Sequence, residues 1–444
     1  MSRGLIIASP HSGSGKTVLT LALLRALQRR GLRVVSAKSG PDYIDPAFHA
    51  AASGAPCRNL DSWAMRSALL RALARGLAAE GELLLCEGAM GLFDGVGASE
   101  SGSTAELAER LRLPVLLAVD ASRQAASVAA LLEGFVRHRP TVKIAGVLFN
   151  RVASPRHAEV MSAATRAALP GLAILGAVPR DPALLLPERH LGLVQASEHP
   201  ELAAFLERAA EIVGRHCDLA AMVALAEPID IDGGNEAPIP LPPLGQRIAV
   251  AADRAFAFAY PATLEGWRAA GAEIVPFSPL ADEAPDAAAD AVYLPGGYPE
   301  LHAAGLAASG RFLSGLRECA AAGAAIYGEC GGYMVLGRGL VDGKGERHAM
   351  AGLLPVATSF ATPKRHLGYR EATLAAASPL GRAGARFRGH EFHYAGIVEA
   401  EGTPLFRVQD GGGADLGAMG SRAGGVMGSF LHLIDRVELP ARIG

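Results

Sequence analysis

The first half of this chain alternates short apolar runs with stretches of helical periodicity, and this alternation restricts the fold more than any other feature. Apolar runs predict six strands, over residues 5–8, 34–37, 83–86, 115–119, 144–149 and 174–178. Between the first two runs, leucines recur at helical spacing from Thr17 to Arg30. Strands that are apolar throughout and separated by helices are typical of a parallel sheet covered on both faces. We therefore predict an α/β domain whose ligands gather at the carboxyl ends of its strands.

A second series of the same kind begins after a stretch rich in proline and glycine. Residues 228–245 contain five prolines and three glycines, which leave little room for regular structure. Further strands are then predicted over residues 247–251, 272–275, 291–294 and 324–327. A chain of 444 residues is also too long for one ordinary core. We predict a first domain over 1–227, a linker over 228–245 and a second α/β domain over 246–444.

Composition and charge exclude several classes of protein. Half of the residues are hydrophobic and the formal net charge is −2, with no basic block, so nucleic-acid binding is disfavoured. No apolar run reaches the roughly 18 residues that a membrane span needs, and the N-terminus does not look like a signal peptide. The five cysteines show no C-x-x-C spacing, which argues against a zinc site or a disulfide framework. We expect a cytoplasmic enzyme without a membrane or nucleic-acid partner.

The loop after the first predicted strand has the composition of a phosphate-binding loop. Residues 9–17 are Ser-Pro-His-Ser-Gly-Ser-Gly-Lys-Thr. Glycines let backbone N–H groups approach phosphates, a lysine reaches the β and γ oxygens, and a threonine hydroxyl holds Mg²⁺. The strict pattern has glycine five residues before Gly15, where this chain has Pro10. We predict that the nucleotide is bound by Gly13, Ser14, Gly15, Lys16 and Thr17.

Two acidic motifs follow the second and third predicted strands, Gly-Pro-Asp-Tyr-Ile-Asp-Pro at 40–46 and Glu-Gly-Ala-Met-Gly-Leu-Phe-Asp-Gly at 87–95. Carboxylates beside a triphosphate usually bind Mg²⁺ or position a substrate, although aspartates also cap helices and turns. Asn150 ends the fifth strand and would either contact a nucleotide base or form a turn. Asp120 is an alternative second Mg²⁺ carboxylate.

A cysteine between glycines ends a predicted strand of the second domain. Residues 328–332 are Gly-Glu-Cys-Gly-Gly, the setting of a nucleophile elbow, in which a tight turn joins a strand to a helix. The thiolate of Cys330 would attack an acyl carbon once an imidazole takes its proton. A small buried hydrophobe is the commonest fate of a free cysteine, and we expect it for the other four.

Partners for Cys330 can be chosen by their place at strand ends. His432 lies at the end of an apolar stretch and is the predicted base, whereas His390 and His393 are either alternative bases or structural residues. Residues 295–300 are Pro-Gly-Gly-Tyr-Pro-Glu, and the backbone N–H groups of Gly296 and Gly297 would form an oxyanion hole.

Together these motifs resemble the cobyrinic acid and hydrogenobyrinic acid a,c-diamide synthases of cobalamin biosynthesis over nearly the whole chain. The resemblance is carried by residues 40–46, 87–95, 294–300, the Cys330 elbow and the stretch Pro-Glu-Arg-His-Leu-Gly-Leu at 187–193. In that family a dethiobiotin-synthetase-like P-loop domain is fused to a class I glutamine amidotransferase domain of flavodoxin-like α/β architecture. We expect the same fold class here.

The resemblance implies two coupled reactions. Cys330 and His432 would hydrolyse glutamine through a thioester and release ammonia. The N-terminal site would use ATP and Mg²⁺ to phosphorylate the a and c acetates of a corrin macrocycle in turn, and ammonia would displace the phosphate. By the same resemblance, nucleotide binding extends to Asn150, the metal is held by Thr17, Asp42 and Glu87, and the macrocycle region is lined by Asp42, Tyr43, Ile44, Asp45 and Asp94.

One position departs from the wider amidotransferase pattern. Class I enzymes carry glutamate two residues after the histidine, where this chain has Ile434. The cobalamin branch shares that difference, so we predict a Cys330–His432 dyad with glutaminase activity.

Other functions fit parts of the sequence. A related amidase of another tetrapyrrole, either a nickel-sirohydrochlorin a,c-diamide synthase or a cobyric acid synthase, would use the same two sites. The partitioning ATPases share the P-loop fold, but they carry an extra lysine near the start of the loop, where this chain has Pro10 and His11, and they need no Cys330 elbow. The stretch over 187–193 favours a cobalt-free corrin, and we expect a homodimer.

Overall fold

The computed structural model describes residues 2–186, 188–189, 192–193, 195–229 and 238–437. Described residues within 1–63 and 67–237 form one compact unit, and those within 64–66 and 238–444 form a second. Residues 230–237 of the predicted linker lie outside the described residues, as do Pro187, His190 and Leu191 of the stretch over 187–193. The domain limits at 227 and 246 therefore stay a prediction.

The first unit contains every strand that its apolar runs predict. Its strands are β1 (Arg3–Ala8), β2 (Val34–Ser39), β3 (Cys57–Leu60), β4 (Leu83–Glu87), β5 (Val115–Asp120), β6 (Ile144–Val152), β7 (Ala173–Pro179), β8 (Glu188–Arg189), β9 (Gly192–Leu193) and β10 (Glu227–Pro228). Its helices are α1 (Lys16–Arg29), α2 (Asp45–Ser53), α3 (Ser67–Glu80), α4 (Thr104–Leu111), α5 (Val128–His138), α6 (Pro155–Ala168), α7 (Leu202–His216) and α8 (Leu219–Leu225).

The main sheet of the first unit has the order β3-β2-β4-β1-β5-β6-β7, and these seven strands are parallel. Strand β10 joins it antiparallel to β1. Residues at the centre of β1, β4 and β5 are fully buried because helices cover both faces of a parallel sheet. Register places Lys38 opposite Glu87, and Asp120 opposite Asn150, so polar residues meet at the carboxyl ends of the strands.

The second unit combines a parallel sheet with antiparallel ones. Its strands are β11 (Arg247–Ala251), β12 (Glu273–Phe277), β13 (Ala291–Leu294), β14 (Ala325–Glu329), β15 (Gly339–Val341), β16 (Arg347–Ala349), β17 (Val356–Ser359), β18 (His366–Leu374), β19 (Arg386–His393), β20 (Gly396–Ala400), β21 (Phe406–Asp410), β22 (Asp415–Met419), β23 (Ser421–Ala423), β24 (Val426–Ser429) and β25 (Leu431–Arg436). Its helices are α9 (Pro261–Ala269), α10 (Ala303–Ala308), α11 (Gly310–Ala321) and α12 (Gly331–Leu336).

The parallel sheet of the second unit has the order β12-β11-β13-β14-β24-β23, in which only β23 is antiparallel to its neighbour. A further sheet, β22-β21-β18-β19-β25, is antiparallel, and β16-β15-β17-β20 forms a small mixed sheet. Apolar runs predict the four strands β11 to β14 but none between residues 339 and 423, because those strands are short or mix polar with apolar residues.

The predicted α/β class is confirmed, with the antiparallel sheets as an addition that the sequence did not indicate. In the part of the chain that the structure describes, no helix combines the length and the apolar character that a membrane crossing requires.

Candidate functional site

The phosphate-binding loop joins β1 to α1 in a conformation that depends on glycine. Gly13 and Gly15 have φ angles of 77° and 82°, in the left-handed region that glycine adopts without steric cost. The amide Nδ2 of Asn150 donates to the Ser14 carbonyl at 2.8 Å, and Nη1 of Arg151 donates to the Gly13 carbonyl at 2.9 Å. The loop carbonyls are thus held by β6, which favours a loop whose N–H groups face a phosphate.

Lys16, the first residue of α1, contacts the second acidic motif. Its Nζ donates to the Met90 carbonyl at 2.8 Å. Burial lowers the pKa of Lys16 to about 8, although Glu87 acts in the opposite direction. A partly desolvated ammonium of this kind is strongly stabilised by a new anionic partner, such as a phosphate oxygen.

Behind the loop lies a buried ion cluster, which we define as Thr17, Lys38, Asp45, His49 and Glu87. Nζ of Lys38 donates to Asp45 Oδ2 at 2.6 Å and to Glu87 Oε1 at 2.7 Å. The Thr17 hydroxyl donates to Glu87 Oε1 at 2.6 Å, and His49 Nε2 contacts the other Glu87 oxygen at 2.6 Å. Glu87 and His49 are fully buried, so every charge in this cluster depends on its neighbours.

The protonation states in the buried ion cluster follow from these contacts. Burial would raise the pKa of Glu87, but Lys38 and His49 hold it well below its usual value. Burial likewise opposes the charge on Lys38, yet Asp45 and Glu87 keep its pKa well above the usual value. The pKa of Asp45 is raised to about 6, first by burial and then by the charge of Asp42. The cluster therefore keeps an ionised Glu87 and a charged Lys38 at neutral pH.

The oxygen atoms of this cluster are of the type that a divalent cation binds. The Thr17 hydroxyl lies 2.6 Å from a Glu87 oxygen and 3.5 Å from an Asp45 oxygen, and hydroxyl and carboxylate oxygens are the ligands that Mg²⁺ prefers. The buried Lys38 ammonium touches the same two carboxylates, so it also limits how much negative charge a cation would meet.

The other predicted substrate residues shape the loops around the cluster. Oδ1 of Asp42 accepts the backbone N–H groups of Ile44 and Asp45, at 2.8 and 2.9 Å, and so orders the start of α2. Ile44 is buried, and Tyr43 is half-buried. Oδ2 of the exposed Asp94 accepts the Gly91 N–H at 2.8 Å. The roles of these residues toward a substrate stay predictions.

Sequence reasoning missed Lys38 and His49. Lys38 is nevertheless visible as the first charged residue after the apolar run of β2, and parallel pairing places it opposite Glu87. His49 lies on α2, and no sequence pattern indicates that its ring reaches β4.

A cavity of about 430 Å³ opens beside the loop, in the first unit. Gly15, Asn150 and Arg151 line one part of it, and Pro179, Arg180 and Asp181 after β7 line another. Asp120 does not join the ion cluster, since its Oδ2 pairs with Arg151 Nη1 at 2.5 Å. Asn150 lines this cavity while its Nδ2 is held by the Ser14 carbonyl, and its contact with a nucleotide base stays a prediction.

In the second unit, Cys330 lies in a strained turn between β14 and α12. Its φ of 46° is unusual for a residue with a side chain, and such strain typically marks a nucleophile. The Cys330 N–H donates to the Ser429 carbonyl at 2.8 Å, whereas the Gly331 N–H is directed at the thiol. This is the strand–turn–helix geometry that the glycine setting predicts.

Gly296 lies against both Cys330 and His432. A methyl group in place of its hydrogen would overlap the His432 ring, 2.9 Å from Nε2, and would lie 3.2 Å from Cys330 Cβ. The thiol and the imidazole therefore flank one small space, which only glycine leaves open. The same substitution at Gly331 would come within 3.0 Å of the Gly297 N, so the backbones of Gly297 and Gly331 lie against each other beside Cys330. Gly331 is a donor that the sequence analysis did not name.

The thiol site is uncharged in this state. Burial raises the pKa of the Cys330 thiol well above its usual value, and the carboxyl of Glu300 acts in the same direction. Burial also lowers the pKa of His432 to about 3, with a further contribution from His390. A neutral thiol beside a neutral imidazole follows, which needs activation before it can attack.

The two alternative histidines have different surroundings. His393 contacts Glu391 Oε1 through Nε2 and the Ala395 carbonyl through Nδ1, each at 3.0 Å, and its ring stacks on Phe430. His390 is buried, and desolvation lowers its pKa to about 3. Since both nitrogens of His393 have protein partners, His432 is the better candidate for the base.

Comparisons with known proteins match both units. Residues 5–194 match the CobQ/CobB/MinD/ParA nucleotide binding domain, and residues 247–437 match the CobB/CobQ-like glutamine amidotransferase domain. A Rhizobium meliloti protein named hydrogenobyrinate a,c-diamide synthase is 55% identical, over 98% of this chain and 100% of its own length. Proteins of the same name from Brucella suis and Agrobacterium fabrum are 55% and 52% identical, each over 98% of this chain and 98% and 99% of their own lengths.

The buried ion cluster makes a prediction for stability. Glu87→Gln removes the carboxylate that the buried Lys38 and His49 share. We therefore expect the free energy of unfolding at pH 7.5 to fall by about 3 kcal/mol or more. Urea denaturation measures this change. Glu133→Gln is the control, because it removes only a surface pair with Arg137 worth at most about 0.5 kcal/mol.

The same variant should show a defined pH dependence. Because the pKa of Glu87 is depressed in the folded state, its stabilisation is complete above the unfolded pKa of about 4.3 and is lost as pH falls below it. The difference between wild type and Glu87→Gln should therefore shrink below about pH 4. A difference that stays constant down to pH 3 would contradict an ionised, paired Glu87.

Proposed function

Because the chain belongs to the family of hydrogenobyrinate a,c-diamide synthases, we propose that it converts the a and c acetates of hydrogenobyrinic acid into amides. The reaction uses ATP, and its nitrogen comes from glutamine. The observation that carries this proposal is the presence, in one chain, of a phosphate-binding loop with a buried ion cluster and a strained cysteine beside a histidine.

The second unit supplies ammonia. His432 takes the proton of Cys330, and the thiolate attacks the side-chain amide carbon of glutamine. The oxyanion that forms would be stabilised by nearby backbone N–H groups, for which the predicted Gly296 and Gly297 and the neighbouring Gly331 are the candidates. His432 returns the proton to the leaving nitrogen, ammonia departs and a thioester remains. Water then hydrolyses the thioester to glutamate and frees the thiol.

The first unit consumes this ammonia. Gly13, Gly15 and Lys16 bind the phosphates, and an oxygen of a substrate acetate attacks the γ-phosphorus, so that ADP leaves and an acyl phosphate forms. Ammonia attacks the acyl carbon and inorganic phosphate leaves, which yields the amide. Two such cycles, one for each acetate, consume two ATP molecules and two glutamines.

Thr17, Asp42 and Glu87 remain the residues that would hold Mg²⁺, and Asp45, whose Oδ2 lies 3.5 Å from the Thr17 hydroxyl, is a further candidate. The metal would neutralise phosphate charge during transfer. Lys38 fixes the orientation of the Asp45 and Glu87 carboxylates because its Nζ contacts both of them. Tyr43, Ile44 and Asp94 would face the macrocycle, and Asn150 would contact the nucleotide base.

The cobalt-free corrin is the proposed substrate because the relatives carry that substrate in their names. We also propose a homodimer, which light scattering after gel filtration would test.

A turnover assay tests the proposed function. The protein is supplied with hydrogenobyrinic acid, ATP, Mg²⁺ and glutamine, and we expect a product with two amides, two ADP and two glutamates per macrocycle by mass spectrometry and chromatography. Cobyrinic acid and nickel-sirohydrochlorin serve as comparison substrates. Absence of ADP formation with hydrogenobyrinic acid, or faster turnover of another macrocycle, would contradict the proposed substrate.

The two sites should be separable by nitrogen source. Cys330→Ala removes the nucleophile, so we expect amide formation from glutamine to fall at least 10³-fold while amide formation from ammonium chloride stays within about twofold of wild type. Initial rates of ADP release with each nitrogen source measure this split. If the variant also loses the ammonia-dependent reaction, Cys330 has a role beyond glutamine hydrolysis.

Lys16→Met should have the reciprocal effect. It removes the ammonium that meets the transferred phosphate, and we expect ATP-dependent amidation to fall at least 10²-fold with either nitrogen source. Glutamine hydrolysis by Cys330 should continue, measured as glutamate release. Wild-type ADP formation by this variant would contradict a phosphate-binding role for Lys16.

A further inference from the structure

The second unit contains a buried acid where the sequence pattern lacks one. Ile434, which replaces the expected glutamate, is a buried aliphatic residue of β25. Glu329 instead comes from β14, directly before Cys330, and its Oε2 lies 3.9 Å from Nδ1 of His432.

Three donors hold Glu329 in place. The Tyr293 hydroxyl donates to Oε2 at 2.7 Å, and the Tyr327 hydroxyl and the Leu433 N–H each donate to Oε1 at 3.0 Å. Tyr327 and Glu329 share one face of β14, since they are two residues apart, and Tyr293 pairs with Tyr327 across the sheet. A carboxylate that accepts three hydrogen bonds is fixed in orientation. Burial disfavours the ionised form of Glu329, and these hydrogen bonds act against that effect.

This arrangement matters when the thiol loses its proton. His432 is fully buried, and an imidazolium there would be costly without a counter-charge. The other groups near it do not supply a counter-charge directly. The Phe258 backbone is a hydrogen-bond partner, His390 and His393 disfavour a positive charge on the His432 ring, and Glu391 is paired with Arg370 and His393.

We propose that Glu329 is the positioning acid of His432 and takes the place of the glutamate that the wider family carries two residues after the histidine. The proposal rests on the proposed glutaminase function. Glu329 does not accept the thiol proton; it orients Nδ1–H of His432, whose Nε2 takes that proton, and it stabilises the imidazolium. The distance between Nδ1 of His432 and Oε2 of Glu329 shortens to that of a hydrogen bond when the ring becomes charged. Catalytic hydrogen bonds often shorten in this way when substrate binds.

Glu329→Gln tests this role because the shape of the site is preserved. The glutamine oxygen can accept from Tyr327 and Leu433, and its amide can donate to the Tyr293 hydroxyl, which turns to accept it. We expect kcat for glutamine hydrolysis to fall roughly 10²-fold with KM for glutamine within about twofold of wild type. The rate at which iodoacetamide alkylates Cys330 at pH 7.5, followed by peptide mass spectrometry, should fall by a similar factor.

Stability and nitrogen source separate this role from a structural one. Burial raises the pKa of Glu329 to about 7, so its ionised form costs stability at pH 8, and we expect the Tm of Glu329→Gln at pH 8 to equal or exceed that of wild type. Amidation from ammonium chloride should be unchanged. A lowered Tm together with unchanged alkylation of Cys330, or a wild-type kcat, would overturn the proposal. If the wild-type protein shows no glutaminase activity, the proposed function is overturned instead.

Tyr293→Phe supplies a second test that does not change the acid itself. Removing one donor should raise the pKa of Glu329 further, so the acid limb of the glutaminase pH profile should shift to higher pH. Tyr333→Phe is the matched control, because its hydroxyl bonds to Ser421 near the same elbow and does not contact Glu329. Equal pH profiles for wild type and both tyrosine variants would overturn the proposal.

Discussion

The pairing of parallel strands at their carboxyl ends is the constraint on which both units depend. Neighbouring parallel strands end at the same edge of a sheet, so the first polar residue after each apolar run meets its counterpart on the next strand. In the first unit this places Lys38 opposite Glu87, and in the second it places Glu329 opposite Ser429 beside the Cys330 turn. Loops that follow the strands then add the phosphate-binding glycines and the thiol to edges that are already polar.

The two sheet edges differ in whether their buried titratable groups are charged. The buried ion cluster keeps Glu87 ionised because Lys38 and His49 outweigh the cost of burial, so the site that is proposed to bind ATP is charged before any ligand arrives. At the thiol site, burial keeps Cys330 and His432 neutral. Charge would appear there only during catalysis, and a fixed acid beside the histidine then determines whether it can form. This difference suits the two proposed reactions, since a triphosphate is always anionic whereas glutamine brings no charge to its reacting carbon.

Most strands of the first unit and the glycine-containing turns of both sites could be predicted from the sequence. Six of the seven parallel strands of the first unit contain an apolar run, which is readable without tertiary information, whereas β3 (Cys57–Leu60) contains Arg58 and Asn59 and was not predicted. The glycines around Lys16 and Cys330 have few alternatives because their backbones require φ angles or contacts that side chains exclude. The strands between residues 339 and 423 were not predicted. They are short or mix polar with apolar residues, and such a pattern is weak in a chain rich in alanine and glycine.

The sequence by itself determined the α/β class of the two units, because their strands and helices leave local patterns in the chain. It also supplied the phosphate-binding loop, the acidic motifs and the predicted nucleophile and histidine. Only the tertiary structure decided which side chains share a buried environment. Lys38, His49 and Glu87 come from separate elements, and Glu329 meets His432 although they lie about a hundred positions apart. Their contacts depend on strand register and on the desolvation of charge, which act across the sheet and leave no local pattern in the chain.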